Sequence, residues 1–321
     1  MISPFPVQIL FSSKTIKDLN KYLVICIKQV RMVKIRSKRG KKILALLLVG
    51  LCMVIFARWQ NNSIVITKSD CRSVKIPPEF NGCVIAHISD LHNKEFGKNQ
   101  KILLSKLKST SPDLIVITGD LIDRRRFDLS IAMSFIEGAV QIAPVYYVSG
   151  NHEAWSNKYP LIKSSLLRAG VQVLDDSMVE LSRGKSSINL LGLKDPAFLS
   201  SNYIDGTDLS QFLECLQQWS ANEGFQILLS HRPELFDLYA ENHMDLIFSG
   251  HAHGGQVRLP LLGGLVAPDQ GFFPRYTSGC YKQNGSAMFV SRGLGNSIFP
   301  VRVFNRPEIV VVTLKSPGKN G

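Results

Sequence analysis

The sequence predicts an α/β domain that follows an apolar N-terminal segment. Three observations support this prediction: short β-rich apolar runs, amphipathic stretches between the early runs, and a fifteen-residue stretch without charge at 43–57. With 321 residues, the chain is long enough for one sizeable globular domain plus an appendage.

The apolar runs are short and mostly continuous, as in strands that are buried on both faces of a sheet. They cover residues 83–89, 114–118, 145–149, 188–193, 226–230 and 246–249. Amphipathic stretches at 98–109, 128–140 and 158–169 predict helices between the early strands. Later runs at 255–259, 287–291 and 308–314 are separated by Gly- and Pro-rich loops, which predicts a second, mixed sheet.

The positive charge is concentrated at the N-terminus. Residues 1–42 contain eleven Lys or Arg and one acid, so only three of the thirteen net positive charges lie beyond the apolar run. A basic segment before an apolar run is typical of a signal anchor or a cleaved signal, and a buried core helix is a third interpretation. Under the first two, the positive-inside bias leaves the residues after 58 on the outer face of the membrane.

The apolar run is short for a membrane span, because fifteen helical residues cover roughly 22 Å of a hydrocarbon core of about 30 Å. Snorkelling of Lys41, Lys42 and Arg58, with Trp59 at the interface, could close this gap. Met32 opens a stretch that by itself resembles a complete targeting signal, which suggests that translation starts there.

The predicted organisation has four parts. A basic cytoplasmic segment covers 1–42, of which 1–31 would be untranslated if Met32 is the start, and a transmembrane anchor covers 43–58. A linker at 59–75 then leads into a globular domain at 76–321. The six cysteines are scattered without a C-x-x-C pair, and we do not expect them to bind metal.

Polar side chains follow five of the predicted strands, where each strand ends. They include five of the seven histidines: the clusters contain Asp90, His92, Asp120, Asn151, His152, His231, His251 and His253. Carboxyl ends of strands are where open α/β sheets bind ligands. A single D-x-H or H-x-H is usually incidental, but five clusters in succession are not. The two other histidines, His87 and His243, are interpreted as packing or surface residues.

The residue types indicate the chemistry. Carboxylates and imidazoles without thiolates favour divalent zinc, manganese or iron. In extended chain, the i, i+2 spacing of Asp90 and His92 places both side chains on one side, and the same holds for His251 and His253. Because an Asp can bridge two cations, the clusters could hold two metals about 3.5–4 Å apart that together acidify a water and neutralise phosphate oxygens.

The order of these motifs resembles the calcineurin-like metallophosphoesterase superfamily. The motifs are D-x-H at 90–92, G-D-x-x-D at 119–123, G-N-H-E at 150–153, a single His at 231 and G-H-x-H at 250–253. The longer stretches 89–92 and 250–260 resemble its membrane-associated YkuE/YaeI-like branch, and the resemblance covers about 75–315. It implies a four-layer α/β/β/α sandwich with metals at the edge where loops of both sheets meet.

The resemblance also implies roles for individual residues. One divalent ion would be bound by Asp90, His92, Asp120 and His253, and the other by Asp120, Asn151, His231 and His251. The nucleophile would be a water or hydroxide between the two ions. His152 would bind a phosphate oxygen or protonate the leaving group, and Asp123 would orient it. Arg124 begins an Arg-Arg-Arg run in place of the family's Arg-Gly, and could bind substrate phosphate or simply be solvated.

The substrate is less well determined. Residues 254–281 combine Gly, Pro and apolar residues with Arg258 and Arg275, and they could bind a lipid phosphodiester or pack as an ordinary loop. The resemblance implies a phosphodiesterase or pyrophosphatase at the membrane surface, acting on a phosphoester that could be lipid-linked. In some relatives the substrate is of the UDP-diacylglucosamine type.

Two alternatives remain. A nuclease is disfavoured because the domain is nearly neutral, so no nucleic-acid partner is expected. A non-catalytic metal-binding module is disfavoured because every motif residue is present.

Overall fold

The computed structural model describes residues 38–199, 207–259, 262–296 and 300–316, which form two compact units divided after Ile55. The apolar run lies in helix α1, Lys38–Asn62. Its 25 residues correspond to roughly 37 Å of helix, so it is long and apolar enough to cross a membrane by length and composition. Its apolar window is not buried, which contradicts the interpretation as a core helix. The proposed untranslated segment, 1–31, lies outside the described residues.

The last turns of α1 belong to the second unit and are bonded to it. The side-chain oxygen of Asn61 accepts hydrogen bonds from Asn296 at 2.7 Å and from the Arg302 backbone N–H at 3.3 Å. The guanidinium of Arg306 lies 4.8 Å from the ring centroid of Trp59. Residues 59–62 were predicted as the start of a linker, but here they are helical and attached to the globular domain.

Six further helices follow in the described chain. They are α2 (Lys101–Lys108), α3 (Leu129–Ala139), α4 (Asn151–Trp155), α5 (Tyr159–Arg168), α6 (Ser210–Ser220) and α7 (Phe236–Glu241). The three helices predicted from amphipathic stretches correspond to α2, α3 and α5, with ends that shift by one to three residues.

The strands form two large sheets and two small hairpins. In chain order they are β1 (Val65–Arg72), β2 (Val84–Ile88), β3 (Leu114–Thr118), β4 (Val145–Val148), β5 (Gln172–Val173), β6 (Ser177–Arg183), β7 (Ser186–Gly192), β8 (Gln226–Leu229), β9 (Leu246–Ser249), β10 (Arg258–Leu259), β11 (Gly263–Gly264), β12 (Val266–Ala267), β13 (Gly271–Phe272), β14 (Gly279–Gln283), β15 (Ser286–Val290) and β16 (Glu308–Lys315). The first sheet has the order β1-β16-β2-β3-β4-β5, and the second has the order β14-β15-β9-β8-β7-β6.

Three segments differ from the prediction. Of 255–259, which was expected in the second sheet, only Arg258 and Leu259 form a strand, β10, and it pairs with β11 in a separate hairpin. β1 lies within the predicted linker and pairs in parallel with β16 along all eight residues. β16, which was expected in the second sheet, lies in the first, antiparallel to β2 with Val311 opposite Ala86. Its run of consecutive valines suits this central position because both of its faces are covered.

Three apolar clusters separate four layers. One joins the outer face of the first sheet to α2, α3 and α5, through residues such as Leu103, Phe135 and Ile162. The second lies between the sheets, where Val116 and Val148 meet Ile227 and Leu229. The third joins the second sheet to α6 and α7 through residues that include Phe212, Leu216, Leu228, Tyr239 and Ile247. Alternate residues of β8 therefore face different cores, and the predicted α/β/β/α sandwich is confirmed.

Candidate metal centre

The seven predicted ligands meet at one end of the sandwich. β2, β3 and β4 are parallel neighbours, as are β8 and β9 in the other sheet, so the polar residues that follow them reach the same edge. All seven side chains are buried, and each residue is at most 3% exposed: Asp90, His92, Asp120, Asn151, His231, His251 and His253.

The first group contains Asp90, His92, Asp120 and His253. The Nε2 atoms of His92 and His253 lie 3.1 Å apart. His92 Nε2 lies 3.4 Å from an Asp120 oxygen, and His253 Nε2 lies 3.4 Å from an Asp90 oxygen. These donor atoms face a common point.

The second group contains Asp120, His231 and His251. His231 Nε2 lies 3.3 Å from Asp120 Oδ2 and 3.2 Å from His251 Nδ1. Asn151 joins this group because its side-chain oxygen lies 3.1 Å from His231 Nε2. Asp120 is common to both groups, so the structure brings together the residues that the sequence assigned to two ions.

The spacing of the donor atoms fits divalent metals. Ligands that bind one ion at about 2.0–2.2 Å lie roughly 3.0–3.6 Å from one another, and most of the distances above fall in that range. Burial opposes ionisation of Asp120, but His231, His152 and His92 together more than offset it and hold the pKa of this carboxyl well below its usual range. Burial disfavours a charged His231, yet the Asp120 carboxylate raises the pKa of this imidazole to about 10. The centre therefore favours positive charge where an ion would bind.

Several of these residues have an unusual backbone. Asp90, His92, Asp120, His251 and His253 all have φ between 45° and 62°, in the left-handed region that side chains rarely adopt. Close packing enforces this geometry at the turn after β3. A Cβ on Gly150 would lie 2.4 Å from Asp120 Oδ1, so only glycine fits there.

His152 lies beside the first group, with its ring centroid 4.4 Å from that of His92. Burial lowers its pKa to about 4, although the Asp120 carboxylate opposes this. The Arg124 backbone N–H donates to His152 Nδ1 at 3.2 Å. In the neutral ring the proton is therefore on Nε2.

Asp123 lies beside His152, with its carboxylate 3.7 Å from His152 Nδ1. The same carboxylate accepts from the backbone N–H of Arg125 at 2.9 Å and pairs with the Arg125 side chain. Asp123 thus caps the short turn Arg124–Arg126, and this turn places the N–H that orients His152.

The three predicted substrate-binding arginines have different environments. Arg124 is exposed, and its guanidinium stacks 4.5 Å from the Trp155 ring centroid. Arg258 is half-buried and donates to Gly254 O at 2.9 Å and Thr277 Oγ1 at 3.1 Å. Arg275 pairs with Asp237 at 3.4 Å. Arg258 and Arg275 thus each contact another group of the protein, and Arg124 lies in the turn beside His152.

Several residues that contact the predicted ligands could not be identified from the sequence. Glu153, although part of the G-N-H-E motif, was given no role, and its carboxylate accepts from the backbone N–H groups of Asp120 at 2.7 Å and Gly150 at 2.9 Å. Asp269 Oδ2 lies 2.8 Å from His251 Nε2 and also accepts from buried Arg232. Arg232 is in turn bound by Asp195 at 2.7 and 2.9 Å. Asp269 has no motif that could have revealed this contact.

The five described cysteines, Cys52, Cys71, Cys83, Cys215 and Cys280, are free, and none belongs to a metal-binding group.

Comparison with known proteins gives a consistent result. The family described as calcineurin-like phosphoesterase matches residues 83–255. The chain is 30% identical to the uncharacterised metallophosphoesterase YkuE of Bacillus subtilis (strain 168), over 81% of this chain and 89% of that protein. It is 27% identical to phosphodiesterase YaeI of Escherichia coli (strain K12), over 72% and 81%.

A third relative is the transmembrane protein with metallophosphoesterase domain of Danio rerio, 29% identical over 75% of this chain and 55% of that protein. This relative and the apolar helix α1 together indicate association with a membrane. The match over more than half of the sequence, together with the buried Asp and His cluster, identifies the chain as a member of the calcineurin-like phosphoesterase family and a metal-dependent phosphoester hydrolase.

Proposed function

We propose that this chain hydrolyses a phosphodiester or pyrophosphate at a membrane surface with two divalent ions. The observation that carries the proposal is that Asp120 is shared by two groups of buried donor atoms. Manganese, zinc or iron suits these oxygen and nitrogen donors. When bound, such a pair would supply an activated water and neutralise charge on the phosphate.

The protein's own residues then have distinct tasks. Asp90, His92 and His253 would bind one ion, Asn151, His231 and His251 the other, and Asp120 both. His152 is outside these groups, and its Nε2 carries the proton of the neutral ring. We propose that this N–H donates a hydrogen bond to a phosphate oxygen, or that the ring, once protonated on both nitrogens, transfers its Nε2 proton to the leaving-group oxygen and returns to the neutral form. We propose that Arg124, which extends from the turn that orients His152, contacts a further phosphate oxygen.

The relative YaeI is named a phosphodiesterase, which supports a diester as the substrate class. The membrane location supports a substrate of the membrane surface or cell envelope, including a lipid-linked phosphoester. We propose that α1 is a single-pass anchor and that the domain lies on the outer face, because the basic residues precede the apolar run.

The chemistry is tested with the full-length protein in detergent, loaded separately with manganese, zinc or iron. Hydrolysis of bis(p-nitrophenyl) phosphate is measured together with metal content. We expect turnover that requires metal and disappears in Asp120→Asn, whereas Asp70→Asn, a change on the exposed edge strand β1, retains it. A fully loaded protein that cleaves neither diesters nor pyrophosphates would refute the proposal.

The orientation is tested separately through Cys280, which is exposed on β14. A membrane-impermeant maleimide should label the parent in intact cells but leave Cys280→Ser at background. Labelling that appears only after the cells are opened would place the domain on the inner face.

A further inference from the structure

We infer that an apolar rim beside the metal centre docks onto the lipid surface of the membrane. The rim is defined by the exposed apolar residues of 259–273 together with one later residue: Leu259, Leu262, Val266, Phe272, Phe273 and Phe304. Phe272 is 80% exposed, Phe273 70% and Leu262 66%. This inference adds an interaction surface to the proposed function and does not require turnover.

Backbone hydrogen bonds join the segments that carry the rim residues. The Arg258 N–H donates to Val303 O at 3.0 Å, the Leu265 N–H to Val257 O at 2.9 Å, and the Phe273 N–H to Leu265 O at 2.9 Å. Neighbouring segments bonded in this way lie about 4.8 Å apart. The backbone segments that carry Phe304 and Phe273 therefore lie only a few strand spacings apart, with Val266 paired opposite Phe272.

The patch adjoins the end of the apolar helix. The Phe304 ring packs against Phe56, with centroids 5.7 Å apart. Phe56 directly follows Ile55 in the uncharged run, so this side of the domain is joined covalently to the segment that is apolar enough to cross a membrane. The Arg306–Trp59 pair lies beside it. Aromatic and basic side chains together are typical of the membrane–water interface.

Charge also favours lipid as the occupant. Residues 254–281 contain one acid, Asp269, and its carboxylate is directed to His251 and Arg232 rather than to solvent. The rim thus presents no carboxylate to an anionic lipid surface. Among the other exposed apolar residues of the described domain, Leu161 and Leu167 share α5, whereas Val74, Ile102 and Met178 lie on separate elements, as is usual for surfaces.

The rim is tied to the metal centre. Asn305, next to Phe304, donates from its side-chain amide to His253 O at 2.7 Å and to Gln256 O at 2.9 Å. The segment with Leu259 begins six residues after His253. Docking of the rim would therefore hold the centre at the depth of lipid headgroups, which suits a membrane-borne phosphoester.

The test uses the full-length protein in nanodiscs that contain phosphatidylglycerol and phosphatidylcholine, with and without bromine on the acyl chains. Tryptophan is introduced as Phe272→Trp, and the emission of the parent, which has three tryptophans, is subtracted. We expect bromolipid to quench most of the added emission. Leu161→Trp, on the exposed face of α5, is the matched control and should not be quenched.

A second experiment separates docking from loss of fold. Leu262→Trp is used as the reporter, and Phe272→Ser with Phe273→Ser should reduce its quenching, whereas Leu161→Ser with Leu167→Ser should leave it unchanged. Only variants whose melting temperature equals that of the parent are compared, so that loss of fold does not affect the result.

The inference is overturned if the emission added by Phe272→Trp is not quenched by bromolipid. A blue shift without quenching also overturns it, because the rim would then be covered by protein such as a second copy of this chain. Neither readout depends on hydrolysis, so failure here leaves the proposed function to its own test.

Discussion

The two groups of donor atoms in the candidate metal centre, its two halves, are similar in composition but differ in how the protein holds them. In the first half, the Nε2 atoms of His92 and His253 face the centre, and neither Nδ1 has a hydrogen-bond partner among the described residues. In the second half, the ring nitrogen that faces away from the centre has a partner in both histidines. His231 Nδ1 lies 2.6 Å from Thr118 O, and His251 Nε2 lies 2.8 Å from Asp269.

This difference indicates that the halves are unequal. A partner on the far nitrogen fixes the tautomer and ring orientation of a metal-binding histidine and raises its basicity. In the second half, these partners therefore fix the histidine rings in advance of metal binding. In the first half, the rings are positioned by packing. We expect the second half to bind its ion more tightly, so that a titration with manganese shows two steps.

The largest effect is expected where the halves meet. Asp120→Asn removes the one carboxylate common to both groups. Several kcal/mol of charge stabilisation at the phosphate depend on the ions, so we expect kcat/KM for a diester to fall by about 10³-fold or more. Metal analysis should show loss from both halves, with Asp70→Asn as the control. Retention of two tightly bound ions would contradict the bridging role.

A change outside both halves should lower the rate of hydrolysis without changing the metal content. His152→Ala removes the proposed proton donor, and general-acid catalysis typically contributes 10²- to 10⁴-fold. We expect at least about 10²-fold loss with a poor alkoxide leaving group, and a smaller loss with p-nitrophenolate, which needs no proton. Metal content should equal that of the parent and of His243→Asn, an exposed control. Equal losses with both leaving groups would argue against proton donation.

The third change tests the asymmetry itself. Asp269→Ala removes the partner of His251, and loss of such an outer partner typically costs 10- to 100-fold in metal affinity. We expect this weakening for one of the two ions, measured by competition with a fluorescent chelator. Asp237→Ala, which breaks the nearby pair with Arg275, should leave both affinities unchanged. An equal weakening of both ions would show that the halves are not separately held.

The smallest effect concerns His87, a buried histidine outside both halves. Burial lowers its pKa from 6.5 to about 3, with Nε2 2.8 Å from Thr118 Oγ1. Between these values the unfolded chain binds a proton that the folded protein does not. The free energy of unfolding should therefore fall as pH decreases from 6.5, by up to about 1.4 kcal/mol per pH unit from this group.

His87→Gln keeps a polar contact to Thr118 and does not titrate. In urea unfolding of the metal-free protein, this variant should lose less stability than the parent between pH 6.5 and 4.5. An identical pH slope in the two proteins would mean that His87 is protonated without cost in the folded state.

Much of the centre could be predicted because its residues follow strands directly. Asp90, Asp120 and His251 each come after a continuous apolar run, and such runs identify buried strands with little ambiguity. The side-chain contacts behind the ligands were not predictable. Asp269 meets His251 across a Gly- and Pro-rich segment of 18 positions, and no periodicity encodes such a contact.

The errors in the fold have a similar origin. β1 was predicted as linker because it is mostly polar and only partly buried; its pairing partner, rather than its own pattern, makes it a strand. Arg258 donates to Gly254 O within its own loop, and one sequence cannot separate such a contact from substrate binding by an arginine.

The position of β16 has a consequence for how this protein is made. β16 lies between β1 and β2 in the first sheet. Its residue Glu308 accepts a hydrogen bond from Thr67 of β1, 241 positions earlier. While the chain is emerging from the ribosome, β2, β3 and β4 can pair, but β1 has no neighbour until residue 315 is available. Closing so long a loop is slow relative to local pairing. The first sheet therefore acquires its last strand after synthesis of nearly the whole chain, and with it the attachment of the helix end to the catalytic domain.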